Sequence, residues 1–179
     1  MNSTISGVPC NLQGILSKGG PTNDLAQVDS FVEELAVHTR DESDRFERAA
    51  EVHADALIID LEDSVALSDK QKARTAALEY LEQPAGSRLP CALRINAPVT
   101  RTGIEDLHSL LESSAVPDYI ILPKCDSPGF VSMVRSLLDQ AAKETQIIAL
   151  IESAKGIEAL SDIVKSDVRP VAQIGRAHV

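Results

Sequence analysis

Short apolar runs and amphipathic stretches take turns along this chain. Leu57, Ile58 and Ile59 form a run without polar interruption, the pattern of a strand buried on both faces. The stretch A-L-S-D-K-Q-K-A-R-T-A-A-L-E-Y-L-E-Q-P follows, with Ala73, Ala77, Leu78 and Leu81 on one helical stripe, Ser68 as its predicted N-cap and Pro84 as its stop. Cys91–Ile95 predicts the next strand and Ile104–Leu111 a helix. Asp118–Leu122 is a strand again, and D-S-P-G-F opens a helix with Ser127 as N-cap and Pro128 at its first position. Ile147–Ile151 predicts a strand, Ser153–Val164 a helix, and Pro170–Ile174 the entry to a sixth strand. Upstream, Phe31–His38 fits either a weak strand or a helical turn, and S-D-R-F-E-R-A-A-E-V-H from Ser43 predicts a helix carrying Phe46, Ala49 and Ala50.

Regular strand–helix alternation with short connections predicts an α/β fold with a parallel sheet. A doubly wound sheet gathers ligand groups at a switch point, often beside a glycine-rich first turn, and neither G-x-G-x-x-G nor G-x-x-x-x-G-K-[ST] occurs. Four apolar runs end instead in polar groups: Asp60, Glu62 and Asp63 after the first, Arg94 and Asn96 after the second, Lys124 after the third, Glu152 after the fourth. Groups recruited from many strand ends favour a TIM (β/α)8 barrel. A complete barrel takes about 250 residues, so a chain of 179 is expected to hold an incomplete one, of about five to six βα units.

Composition narrows the setting. The chain is 44% hydrophobic and only 3% aromatic, with no Trp, so its core is aliphatic. A formal charge of −10 argues against broad binding to nucleic acid or to an anionic membrane surface. Cys10, Cys91 and Cys125 are widely spaced and odd in number, which fits thiols in a reducing cytoplasm better than a disulfide framework. No run approaches the roughly 20 apolar residues of a membrane span, and the expected location is cytoplasmic. Residues 1–30, rich in Gly, Ser, Asn and Pro, read as a mobile extension, and residues 31–173 as the partial barrel domain. One back-translation of the final I-G-R-A-H-V spells a common short-read library adapter, so residues 174–179 are expected to be a non-native tail.

The ordered motifs D-L-E-D-S-V (Asp60–Val65), K-x-x-A-R (Lys70–Arg74), R-I-N-A-P-x-T-x-x-G (Arg94–Gly103), L-P-K (Leu122–Lys124) and I-E-S-A-K-G-I (Ile151–Ile157) resemble the HpcH/HpaI aldolase and citrate lyase β-subunit family. The resemblance covers Arg45 to about Gln173. It implies a TIM barrel that cleaves or forms C–C bonds, on acyl-CoA thioesters such as citryl-CoA or malyl-CoA or, without CoA, on a hydroxy-oxo-diacid to give pyruvate and an aldehyde. It further implies Mg²⁺ as cofactor, Glu152 as one of two metal carboxylates, Arg94 as the grip on the acid portion of the substrate, and a trimer or hexamer. The second carboxylate belongs to an F-G-x-x-D segment whose place is taken here by I-G-R-A-H-V. A truncated barrel without it could also be inert.

Each residue has a competing structural role. Glu152 could cap the following helix or neutralise Lys155, and Arg94 could pair with Asp60 or Glu62. Asn96 divides between shaping its loop and touching substrate. Asp60, Glu62 and Asp63 are expected to support the site, by pairing or by orienting Arg94 or water around the metal. Lys124 is expected to contact substrate, and a Schiff base there is the disfavoured alternative. His38, His53, His108 and His178 share no ligand spacing and are read as non-catalytic.

Overall fold

The computed structural model describes residues 32–36, 56–84, 87–166 and 169–172. The elements run β1 (Val32–Ala36), β2 (Ala56–Asp60), α1 (Lys70–Leu81), β3 (Cys91–Arg94), α2 (Arg101–Glu112), β4 (Tyr119–Leu122), α3 (Pro128–Gln140), β5 (Gln146–Ile151), α4 (Ala154–Glu158), α5 (Leu160–Lys165) and β6 (Arg169–Ala172). The helix predicted from Ser43, the N-terminal extension and the terminal I-G-R-A-H-V lie outside the described residues.

All six strands are parallel and pair in chain order, β1-β2-β3-β4-β5-β6. Among the described strands the order never reverses, so they contain no switch point of the doubly wound kind. The ambiguous stretch at Phe31–His38 is a strand at Val32–Ala36. What decides it is a partner distant in sequence, since Val32–Ala36 pairs in register with Ala56–Asp60.

The two faces of the sheet differ. Alternate strand residues Leu57, Ile59, Leu93, Ile120, Leu122, Ile147, Ala149 and Ile151 join one cluster with Ala73, Ala77 and Leu81 of α1, Leu107 and Leu110 of α2, Val131, Val134 and Leu138 of α3, and Ile163 of α5. Ile58, Ala92, Ile121, Ile148 and Leu150, on the other parity, form a second cluster to which the described helices contribute nothing. Among the described residues, helices cover one face only. That is the arrangement of a barrel wall, whereas a doubly wound sheet is sandwiched.

The cap expected at Ser127 forms, Thr100 and Ser153 cap two further helices, and two helical expectations need correction. Thr100, Ser127 and Ser153 each accept a backbone N–H, from Gly103, Gly129 and Gly156, with their side-chain oxygens. Ser68 does not cap α1: Leu67–Asp69 forms a 3₁₀ turn and the helix begins at Lys70, after Asp69. The single helix expected over Ser153–Val164 is two, α4 and α5, joined at Ala159.

Candidate active site at the carboxyl edge

The period of two that separates the faces also selects the site. Asp60 and Arg94, the last residues of β2 and β3, and Glu152, the first after β5, continue the parity of Ile58, Ala92 and Leu150 one step past the apolar layer. Asp60 and Arg94 are direct neighbours in the ladder. Lys124 lies two residues beyond β4. The four strand-end groups therefore occupy one rim, where ligand groups gather in parallel α/β folds.

Asp60 is fully buried and accepts five hydrogen bonds. Arg94 Nε donates to Oδ1 and Arg94 Nη2 to Oδ2, both at 2.8 Å. The Glu62 amide donates to Oδ1 at 2.8 Å, and the Ser64 amide, at 3.1 Å, and hydroxyl donate to Oδ2. Burial pushes this carboxyl up, but the bonds and charge of Arg94, with Ser64 and the Glu62 amide, outweigh it and hold the group below its ordinary value. A planar guanidinium gripped on two donors is fixed in direction. Arg94 keeps 15% of its side chain accessible at the rim.

The second half of the rim turns on Lys124, whose φ of 51° is left-handed. Its amide donates to Glu152 Oε2 at 3.2 Å while its Nζ donates to Glu62 Oε1 at 2.6 Å. Burial raises the Glu62 carboxyl and the Lys124 bond pulls it partly back; that same bond raises the Lys124 ammonium. An imine-forming lysine must shed its proton, so this environment opposes a Schiff base. Arg94 also acts on Glu62 through its charge, so Arg94, Asp60, Glu62, Lys124 and Glu152 form one connected group.

The remaining predicted residues divide. Asn96 is buried, and its Nδ2 donates to Leu61 O at 2.8 Å and to Asp106 Oδ2 at 2.6 Å, with its amide donating to the same Oδ2 at 2.8 Å. Both side-chain N–H groups are thus spent inside the protein, which is the loop-shaping role. Asp63 is exposed and bears on the site through its charge on Glu62 and Lys124. His108 is exposed; His38, His53 and His178 lie outside the described residues, as does Cys10. Cys91 and Cys125 are buried free thiols, and burial pushes Cys91 up to about 11, far from reactive.

Sequence reasoning assigned no role to Lys70, Arg74 or Asp106. Arg74 is 2% exposed and its Nε donates to Asp106 Oδ1 at 2.8 Å. Lys70 Nζ donates to Leu61 O at 2.7 Å and to Glu62 O. The available signal was an Arg between Ala73 and Ala77 and an Asp beside Leu107, charges on stripes that otherwise face the sheet.

A magnesium ion takes oxygen donors, commonly one or two carboxylates plus substrate oxygens and water. Glu152 suits it: it is exposed on the rim and, among the described residues, only one of its oxygens is engaged, by the Lys124 amide. No group of three His, Cys, Asp or Glu that could hold a metal occurs among the described residues, so a donor set here needs oxygens from elsewhere. Also among the described residues, no helix is long and apolar enough to cross a membrane.

The Asp60 environment carries a pH consequence. A carboxyl lowered in the folded state adds stability that is complete above its unfolded value, 3.8, and is lost as pH falls through the folded one. Glu62, raised from 4.5, contributes with the opposite slope. Asp60→Asn is therefore expected to be about 3 kcal/mol less stable near pH 7, by loss of the anionic partner of the half-buried Arg94, and to lack part of the decline below pH 4. Parallel acid limbs in denaturant melts of the two proteins would contradict it.

Comparisons with known proteins bear on the family to which the chain belongs. The profile of the HpcH/HpaI aldolase/citrate lyase family matches residues 39–177. The citrate lyase β subunit of Escherichia coli K12 is 32% identical over 123 residues, 65% of this chain and 40% of the relative. An L-malyl-CoA/β-methylmalyl-CoA lyase of Cereibacter sphaeroides is 34% identical over 131 residues, 69% of this chain and 41% of the relative. The chain thus spans about 40% of the length of these curated relatives. Among solved structures, RipC from Yersinia pestis superposes with a TM-score of 0.63 at 36% identity, covering 80% of this chain and 56% of that one. The citrate lyase β subunit of M. tuberculosis, solved with oxaloacetate and magnesium, superposes with a TM-score of 0.60 at 29% identity, covering 79% and 56%. With a matching profile over most of its length and strand-end groups gathered on a single rim, this chain belongs to the HpcH/HpaI aldolase/citrate lyase family.

Proposed function

We propose that the chain forms six strands of a (β/α)8 barrel and carries part of the active site of a Mg²⁺-dependent carbon–carbon lyase, acting on a short 3-hydroxyacyl-CoA such as citryl-CoA or malyl-CoA. One observation carries this reading. Arg94, Asp60, Glu62, Lys124 and Glu152 come from the ends of four successive strands and meet on one rim. The named relatives, which are lyases of citrate, malyl-CoA and β-methylmalyl-CoA, favour the CoA-ester substrate over the CoA-free hydroxy-oxo-diacid.

Breaking the bond β to the thioester carbonyl turns the hydroxyl carbon into the carbonyl of one product as its O–H proton leaves, and the bonding pair becomes a thioester enolate that takes up a proton to give the acyl-CoA. Arg94, held rigidly by Asp60, binds and orients the carboxylate of the acid portion. Its charge is permanent at any working pH and costs no reorganisation as negative charge develops. Lys124, kept as an ammonium by Glu62, adds a second cation to the rim, and the Lys124 amide fixes the Glu152 carboxylate. Glu152 would hold Mg²⁺, which when bound supplies a Lewis acid that polarises the oxygens of the acid. No covalent nucleophile is required.

In the whole protein that carries this chain, malyl-CoA or citryl-CoA is expected to release acetyl-CoA only with Mg²⁺ present. Glu152→Ala should remove metal-dependent turnover, whereas Lys124→Ala should reduce turnover without abolishing it, and the unmodified protein should yield no borohydride-trapped adduct at Lys124. Cleavage that survives excess chelator would overturn the role of Glu152. Pyruvate and an aldehyde formed from a CoA-free diacid, with no acyl-CoA cleaved, would move the protein to the other branch.

A further inference from the structure

The loop after β2 seats both halves of the rim. Its Glu62 side chain accepts from Lys124, and its Glu62 and Ser64 amides donate to Asp60. The groups that hold its peptide carbonyls come from α1 and from the end of β3. Lys70 Nζ donates to Leu61 O at 2.7 Å and to Glu62 O, while Asn96 Nδ2 donates to Leu61 O at 2.8 Å. Asn96 is held in turn by Asp106 of α2, whose Oδ2 takes both the Asn96 amide and its Nδ2, and whose Oδ1 takes Arg74 Nε. Two helices therefore clamp two successive peptides, Leu61–Glu62 and Glu62–Asp63, from outside the rim.

We propose that Lys70 and Asp106 are positioning residues for the reaction. By fixing the Leu61–Glu62 peptide they set the direction from which Glu62 meets Lys124 and Asp60 meets Arg94. Neither has been given a role in the chemistry, and neither is among the rim groups. The proposal rests on the lyase reading above for its kinetic consequence, and on the hydrogen bonds alone for its structural one.

Lys70 is only half-buried, so Lys70→Met removes the carbonyl donor without stranding a buried charge and keeps the proposal testable even if Asp106→Asn fails to fold. Measured in the whole protein with malyl-CoA and Mg²⁺, Lys70→Met is expected to lower kcat/KM by about 10- to 100-fold, the scale of a small misplacement of reacting groups. The loss should fall on kcat, with Mg²⁺ affinity changed less, because Glu152 reaches this loop only through Lys124. Lys70→Arg, which keeps donors at that position, should restore most of the loss. Hydrogen exchange supplies a readout independent of activity. The Glu62 and Ser64 amides should exchange about tenfold faster in Lys70→Met, while the Leu57 amide within β2 keeps its protection. Unchanged loop amides, or a loosening shared equally by β2, would overturn the proposal, as would loosened loop amides with undiminished kcat. If the unmodified protein cleaves no acyl-CoA, the lyase reading fails on its own, and the exchange pattern still decides whether Lys70 fixes the loop.

Discussion

Arg94→Lys is expected to cost about 10²- to 10³-fold in kcat/KM for the acyl-CoA substrate, the scale seen when one preorganised donor to developing negative charge is lost. The charge survives in this variant, so the loss measures geometry. Arg94 meets both oxygens of Asp60 through Nε and Nη2, and a lysine offers one tetrahedral ammonium that cannot reproduce that fork while also facing a substrate carboxylate. Arg94→Ala should do more damage of another kind, leaving the fully buried Asp60 without its cation and destabilising the fold by about 3 kcal/mol. The two variants together separate recognition from folding: steady-state kinetics for the first, a denaturant melt for the second. Activity in Arg94→Lys within a factor of about 3 of the parent, roughly 0.6 kcal/mol, would show that the fork does not matter.

An equally large expected effect on stability comes from a residue outside the rim. Gly103, in the first turn of α2, has no room for a methyl group: a Cβ there would lie 2.1 Å from Ala97 O and 2.6 Å from Asn96 O. Both obstacles are backbone, so no side chain can swing aside. Gly103→Ala is expected to cost about 3 kcal/mol, the upper end for overpacking, and to lower Tm by about 6–12 °C for a domain of this size. Gly103 also donates to Thr100 Oγ1 at 3.0 Å, so the helix start, the β3 exit and Asn96 would shift together. A Tm within about 2 °C of the parent would show that the loop yields freely. Gly156 repeats the arrangement after β5, where a Cβ would meet Cys125 O at 2.8 Å and its amide donates to Ser153 Oγ at 3.0 Å. A small N-cap residue followed three positions later by glycine is thus the local rule that lets a helix start almost on top of the preceding strand.

These details show what could be read in advance. The apolar runs at Leu57–Ile59, Ile120–Leu122 and Ile147–Ile151 specify strands unambiguously, because nothing polar interrupts them and Gly, Pro or polar loops bound them. The motifs identified the family and placed Arg94 and Glu152 on strand ends. Three features lay beyond local pattern. The 3₁₀ turn at Leu67–Asp69 shifts the start of α1 past the expected cap at Ser68, and the break at Ala159 falls three residues after Gly156, at a position held by a good helix former. The left-handed backbone of Lys124 would be expected of glycine; it is held by contacts to Glu62 and Glu152 that come from strands far apart in sequence. The clamp of Lys70, Arg74 and Asp106 was hidden for the same reason, since a charge on an apolar stripe announces a partner without naming it.

The face of the sheet on which no described helix packs has a consequence for how the rim works. Directly beneath Asp60, Arg94 and Glu152 lies a floor of Ile58, Ala92, Ile121, Ile148 and Leu150, each no more than 5% exposed. Such a floor carries no dipoles that could turn to answer a charge above it. An anion settling on the rim is therefore stabilised from the sides, by groups already locked in place, and the hydrocarbon below keeps those few side chains from being diluted by solvent.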